Sequence, residues 1–257
     1  MEQDSENQSK YAQATDVGCV RELNEDSVHS QPGLWLVADG MGGHACGEVA
    51  SAMAIEHVIS NFPAKGPIEG AIQTAHEKII EAGEANLSQA GMGTTLVALI
   101  SNSTGYQVAW VGDSRAYLWD ARSAKLIQLS EDHSLMVRLI NAGLINEQDA
   151  KTHPQRHMIT QCLGSTEIEK VKVDTEQKDW ESNQQILLCS DGLTDEVSER
   201  MISEIMASRA TLEEKNALLI KTAKQAGGRD NISVIIIDSP VSKPLGFIER
   251  IRAFFNR

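Results

Sequence analysis

TTLVALISNSTGYQVAWVGDSRAYLWDARSAKLIQL, residues 94–129, alternates short apolar segments with turn residues. TTLVALI (94–100), YQVAWV (106–111), RAYLWD (115–120) and KLIQL (125–129) are rich in side chains that pack well on a pleated surface. Only a few small or polar residues separate them. A parallel pair needs a crossover of about a dozen residues or more, so strands this close pair antiparallel.

The pattern extends both ways. Upstream, GLWLVAD (33–39) reads as a buried strand and GEVASAMAIEHVISNF (47–62) as a helix with a mostly apolar face. Over 67–90, Ile68, Ala71, Ile72, Ala75 and Ile79 recur at helical spacing. Downstream, residues 134–160 read as short helices and a loop carrying His153, Pro154 and His157. Strands are expected again near 170–175 and at QILLCS (185–190), helices at about 198–208 and 211–226, and a last strand at NISVIIID (231–238). Thr211 and Glu214 fit a capping box, in which each side chain answers an unpaired backbone N–H. Leu212, Leu219, Thr222, Ala223 and Ala226 line one face of that last helix. Strand runs mixed with helix pairs, without strict alternation, place the chain in the α+β class, its sheets covered by helices, and argue against a Rossmann fold.

At 257 residues and 41% apolar, the chain can bury a sizeable core. Its formal charge of −13 disfavours nucleic acid as a partner. An acidic excess serves solubility, or it lines a cation site. Cys19, Cys46, Cys162 and Cys189 include no CxxC pair, and the N-terminal MEQDSENQSK has no apolar signal core. No apolar run approaches the ~18–20 residues of a membrane span. A cytoplasmic protein with reduced thiols is expected.

Aspartate stands repeatedly beside apolar runs: Asp39 after LWLVA, Asp113 after AWVG, Asp191 after ILLCS, and Asp230 ahead of ISVIIID. Burying an unpaired carboxylate costs several kcal/mol. A single such aspartate is explained as a cap or turn; the set invites a shared hard cation with oxygen ligands. Asp39-Gly40 and Asp191-Gly192 add glycines that let a carbonyl turn toward a metal. The glycine-rich GMGGHACGE (40–48) lacks the GK[ST] of a Walker loop and the dinucleotide spacing. Arg21, followed by Glu22, Glu25 and Asp26, is either a surface ion pair worth ~0–1 kcal/mol or a guanidinium fork for a phosphate. Metal-bound carboxylates with one arginine suit phosphate-ester hydrolysis.

The blocks GCVRELNEDS, VADGMGGHACGEVAS, MGTTLVALI, AWVGDSRAYLW, LSEDHSL, HMITQCLGS, LLCSDGLTDEVS and GGRDNISVIIID run in the order found in the type 2C protein phosphatases, the PPM family. Over roughly 11–238 the chain resembles the compact bacterial form of that family. The resemblance implies a four-layer α-β-β-α sandwich, two central antiparallel sheets flanked by helix pairs. It implies hydrolysis of phosphoserine and phosphothreonine on proteins by a metal-bridging water or hydroxide, without a phosphoenzyme. Two Mn2+ or Mg2+ ions are implied, with Asp39 bridging them, the Gly40 carbonyl, Asp191 and Asp230 as ligands, and a third ion at Asp113 with Asp191. Glu25, with Asp26 nearby, acts through water. By the same resemblance, Arg21 would hold the substrate phosphate, and His44 would protonate the leaving oxygen.

Residues 1–9 are polar and read as disordered, the phosphatase domain is expected over 10–239 with the family's flap at about 134–160, and 240–257 reads from its own apolar spacing as an amphipathic helix with no counterpart in the family. His153 and His157 read as structural in that flap, and Cys19, Cys46 and Cys189 as small buried side chains. Gln161 and Cys162 stand where the family more often has arginine and alanine. The terminal helix carries Phe247, Ile248, Ile251, Phe254 and Phe255 on one face; it docks on the domain or touches a membrane surface or partner. The implied partners are phosphoproteins, with an opposing bacterial Ser/Thr kinase, and a monomer is expected. Two alternatives are a phosphatase of another phosphoester and a phosphoprotein-binding pseudophosphatase.

Overall fold

The computed structural model describes residues 9–42, 46–62 and 67–241. The strands are β1 (Tyr11–Asp16), β2 (Asp26–Gln31), β3 (Leu34–Met41), β4 (Gly93–Thr94), β5 (Leu96–Ser101), β6 (Gly105–Val111), β7 (Arg115–Asp120), β8 (Lys125–Gln128), β9 (Asp174–Asp179), β10 (Gln184–Cys189) and β11 (Ile232–Asp238). The helices are α1 (Cys46–Asn61), α2 (Ile68–Ala85), α3 (Leu135–Asn141), α4 (Glu147–Thr152), α5 (Asp191–Thr194), α6 (Glu199–Met206) and α7 (Leu212–Ala226). One sheet runs β1-β11-β10-β7-β8; the other runs β2-β3-β5-β6-β9, with β4 added to β3. Each strand pairing is antiparallel.

Period-two alternation divides the buried side chains among three apolar layers. On β3, Leu34, Leu36 and Ala38 face α1 and α2, while Trp35 and Val37 face the other sheet. On β10, Ile186 and Leu188 join the intersheet layer, and Leu187 and Cys189 pack with Ile202, Met206 and Leu219 of α6 and α7. The expected α-β-β-α sandwich follows: helix pair, sheet, sheet, helix pair. Each fully buried Leu or Ile contributes about 1.5–3 kcal/mol, which makes these layers the main stabilising term.

The α7 capping box is present, with the Glu214 N–H donating to Thr211 Oγ1 and the Thr211 N–H to Glu214 Oε2. The strand expected near 170–175 instead occupies 174–179. Its sequence, DTEQKD, is wholly polar, and its place comes from pairing with β6 at the sheet edge. Cys46 and Cys189 are buried as expected, but Cys19 is exposed. Its N–H donates to the Gly228 carbonyl at 2.7 Å and its Sγ to the Lys224 carbonyl at 3.8 Å, at the surface beside the end of α7. The amphipathic helix expected over 240–257 lies, apart from residues 240 and 241, outside the described residues, as does all but residue 9 of the N-terminal segment.

Candidate metal centre

Antiparallel register brings the acidic residues to one end of the sandwich. Asp26, which opens β2, pairs directly with Asp39 near the end of β3. In the other sheet, Cys189 at the end of β10 faces Arg115 at the start of β7 and Val234 near the start of β11. Asp113, Asp191 and Asp230 therefore lie just beyond three neighbouring strand ends. The sheets are tied there as well: the Ser190 hydroxyl donates to Asp26 Oδ2 at 2.8 Å, and the Ser233 N–H donates to Ser190 Oγ at 3.0 Å.

The backbone around Asp39 is fully committed. Its N–H donates to Thr95 Oγ1 at 3.1 Å, and its carbonyl accepts from the Thr94 hydroxyl and the Thr95 N–H, both at 2.9 Å. A Cβ on Gly40 would lie 2.1 Å from the Gly47 carbonyl oxygen and 2.5 Å from that of Glu25. A Cβ on Gly192 would lie 2.0 Å from the Asn231 oxygen. In both Asp-Gly pairs the glycine thus permits a close backbone approach, a need beyond the carbonyl orientation that the sequence suggests. Asn231 joins the sheets from the other side, accepting the Glu25 N–H at 2.7 Å and donating to the Val17 and Leu23 carbonyls.

The electrostatics match that crowding. Burial first, then Asp26, Asp191, Asp113 and Asp230, push the Asp39 carboxyl well above its ordinary pKa. Asp191 is pushed up by burial and by Asp113, Asp195 and Asp230, and shares a hydrogen bond with Asp39. Burial and Asp132 raise Asp113 to about 7. Burial raises Asp26 to about 6 against the hydroxyls of Ser233 and Ser190. Asp26 Oδ1 is buried with no hydrogen-bond partner among the described residues. Mutually repelling, partly desolvated oxygen donors of this kind fit a hard divalent cation, whose charge reverses the penalty. The residues present therefore fit Mn2+ or Mg2+.

A cavity of about 420 Å³ opens over this floor, lined in part by Arg21, Asp191, Gly192 and Asp230. Arg21 donates from Nη2 to Asp230 Oδ2 at 2.7 Å and lies 3.9 Å from Glu25. The structure thus brings together Arg21, Glu25, Asp26, Asp39, Gly40, Asp113, Asp191 and Asp230. His44 falls outside the described residues.

Other participants escaped the sequence reading. Arg115 grips Asp132 with both ends of its fork, Nε to Oδ1 at 2.8 Å and Nη2 to Oδ2 at 2.6 Å, just behind Asp113. His133 accepts the Gly112 N–H on Nδ1 at 3.1 Å and meets Asp174 Oδ2 through Nε2 at 3.1 Å, bracing the turn before Asp113. Gly112 has φ +105°, and a Cβ there would strike Thr95. His157, expected to be merely structural, pairs with Asp195 at 3.1 Å and places a ring nitrogen within 4.8 Å of carboxylate oxygens of Asp191 and Asp195. The GDSR, EDHS and SDGLTD blocks contain most of these residues, but only the fold pairs them.

A family model described as protein phosphatase 2C matches residues 20–225. The serine/threonine phosphatase stp of Listeria monocytogenes is 37% identical over 246 residues, spanning 89% of this chain and 95% of that protein. Among solved structures, the Mycobacterium tuberculosis serine/threonine phosphatase PstP/Ppp superposes with a TM-score of 0.82 at 34% identity, covering 90% of this chain and 98% of that one. The catalytic domain of PstP in complex with 2 manganese ions superposes with a TM-score of 0.79 at 32% identity, again covering 90% and 98%.

Proposed function

The chain belongs to the protein phosphatase 2C family, and from that premise we propose how its residues divide the reaction. It is a metal-dependent protein serine/threonine phosphatase that uses Mn2+ or Mg2+ and acts on phosphoproteins. Asp39, the Gly40 carbonyl, Asp191 and Asp230 would hold two ions, and Asp113 with Asp191 would hold a third. Bound there, the ions supply positive charge against the phosphoryl oxygens and lower the pKa of a water from ~15.7 toward ~7.

The rest falls to the chain's own groups. Arg21 lies at the cavity and offers a planar fork suited to two phosphate oxygens. Glu25 would act through water at the second ion, and Asp26, paired with Asp39 across the strand register, would stand close by. Water attacks phosphorus, the bond to the seryl or threonyl oxygen breaks, and His44 hands that oxygen a proton. No covalent phosphoenzyme forms.

The convergence of Asp39, Asp191 and Asp230 beside Arg21 carries this assignment. The test measures Mn2+ binding by calorimetry and phosphothreonine-peptide hydrolysis for Asp39→Asn and Asp191→Asn. Each variant should lose metal affinity and about 10²–10³-fold in kcat, the scale on which removing a central electrostatic contributor is felt. Full activity in either variant overturns the assignment.

Around that chemistry we place a monomeric, cytoplasmic enzyme of bacterial signalling that reverses a Ser/Thr kinase. No described helix is long and apolar enough to cross a membrane. The 240–257 segment is assigned to docking on the domain or to contact with a membrane surface or partner. Deleting residues 244–257 separates these: loss of melting temperature alone means docking, and loss of membrane fractionation or partner pull-down means contact.

A further inference from the structure

The cleft holds three guanidinium groups, and their circumstances differ. Arg21 is paired with Asp230 at 2.7 Å. Arg229 is paired through both ends of its fork with Glu196, Nε to Oε1 at 2.7 Å and Nη2 to Oε2 at 3.2 Å. Arg156 lines the same cavity, yet among the described residues its side chain makes no hydrogen bond or ion pair.

The backbone beneath Arg156 is held in place. Its N–H donates to the His153 carbonyl at 3.1 Å, the Met158 N–H donates to Gln155 at 3.0 Å, and the Leu135 N–H donates to Met158 at 2.8 Å. The next residue, His157, is fastened to Asp195 at 3.1 Å. An arginine on an unsupported tip could swing away from the cleft, whereas the hydrogen-bonded backbone of this one keeps its side chain at the rim of the reaction cavity. Its electrostatic setting points the same way. Glu196 neutralises Arg229, Asp230 faces Arg21, and divalent cations at Asp191 and Asp230 would cancel the remaining acidic charge of the floor. Arg156 has the Asp195 carboxylate within electrostatic reach but makes no hydrogen bond or ion pair with it, so its fork stays open at the cleft wall.

We propose that Arg156 determines specificity by binding a second anionic group of the substrate, a carboxylate or phosphate close in sequence to the phosphorylated residue. A fork-shaped cation matches either group through two parallel N–H bonds. Arg156 takes no part in the chemical step. The inference rests on the protein-phosphatase reading above and adds the class of phosphopeptide that the cleft prefers.

The test compares kcat/KM on phosphothreonine peptides that differ only beside the phosphoresidue: glutamate, glutamine, lysine, or a second phosphothreonine. p-Nitrophenyl phosphate, which has no flanking group, reports the intact centre. The native enzyme should favour glutamate or the second phosphate over glutamine by about tenfold, the scale of one charge-assisted contact at a partly exposed site. The two anionic arms show which group is read. Arg156→Gln should erase the preference while leaving the glutamine peptide and p-nitrophenyl phosphate within about twofold, and Arg156→Glu should favour the lysine peptide. Equal native rates on all four peptides, or an equal loss on every substrate in Arg156→Gln, overturn the proposal. A native enzyme that cleaves p-nitrophenyl phosphate but none of the peptides strikes the protein-phosphatase reading instead.

Discussion

Two sets of buried charge sit in this sandwich and are handled in opposite ways. On the α7 side, Lys215 is 5% exposed, and its ammonium donates to the Met206 carbonyl at 2.6 Å and to Gln185 Oε1 at 2.9 Å. Gln185 in turn donates to Asp238 Oδ1 at 2.6 Å. Burial lowers the Lys215 pKa, with Asp238 opposing, and the protons have partners in the protein itself. At the other end, Asp39, Asp113 and Asp191 repel one another, and each has its pKa raised. A buried charge whose partners are internal is part of the scaffold. Like charges gathered faster than internal counter-charges offset them are destabilising in themselves and become favourable with a cation.

The comparison predicts stability changes of opposite sign. Lys215→Ala strands the Met206 carbonyl and Gln185 and should cost about 3 kcal/mol, lowering Tm by roughly 6–12 °C in a chain of this size. Chelator and Mn2+ should give the same loss. Asp39→Asn should do the reverse in chelator, raising stability because one member of a repelling set is neutralised. In Mn2+ the order should invert, since the native protein gains by mass action and the variant does not. Thermal melts of both variants, with and without metal, check this. A destabilised Asp39→Asn in chelator would mean that the carboxylate is held by internal partners after all.

How much of this was legible depended on where each residue's partners lie. Asp39, Asp113, Asp191 and Asp230 could be found because each abuts an apolar run, and a carboxylate there calls for an explanation. The central strands were equally plain, since β3, β5, β6, β10 and β11 carry runs of large apolar side chains. β1 (YAQATD) and β2 (DSVHSQ) were not read, because their polar sequences become strands only through pairing with β11 and β3. β9 was misplaced for the same reason. The contacts Arg115–Asp132, His133–Asp174 and His157–Asp195 join positions well beyond helical or hairpin spacing, so nothing local announces them.

The same repulsion sets a pH dependence. Asp113 near 7 and Asp26 near 6 lie above the ~3.9 of an unfolded aspartate, and Asp39 and Asp191 are raised in the same direction. Between about pH 4 and 7 the folded state thus binds more protons than the unfolded state at these groups. Their contribution is full at the acidic end and is lost as pH rises through the folded values. In chelator, moving from pH 7.5 to 5.5 should therefore raise stability. Saturating Mn2+ should flatten or reverse the trend, because the metal competes with the protons for the same oxygens. Urea melts at the two pH values, with and without metal, measure it; a trend unaffected by Mn2+ would separate the titration from the metal centre.

The smallest effect belongs to the helix end that has nothing to do with the cleft. Thr211 caps α7, accepting the Glu214 N–H at 3.2 Å while the Glu214 carboxylate accepts the Thr211 N–H at 2.8 Å. Thr211→Ala removes one half of that reciprocal pair and should cost about 1 kcal/mol, or roughly 2–4 °C in Tm. Thr211 lies at the opposite end of α7 from Gly227, where the chain leads into Arg229 and Asp230 of the cleft, so Mn2+ affinity and peptide kcat/KM should stay at native values. If this surface cap altered metal binding, the sandwich could not be treated as a rigid scaffold carrying a separately destabilised centre, and the sign difference between Lys215→Ala and Asp39→Asn would need a common cause in the α7 layer.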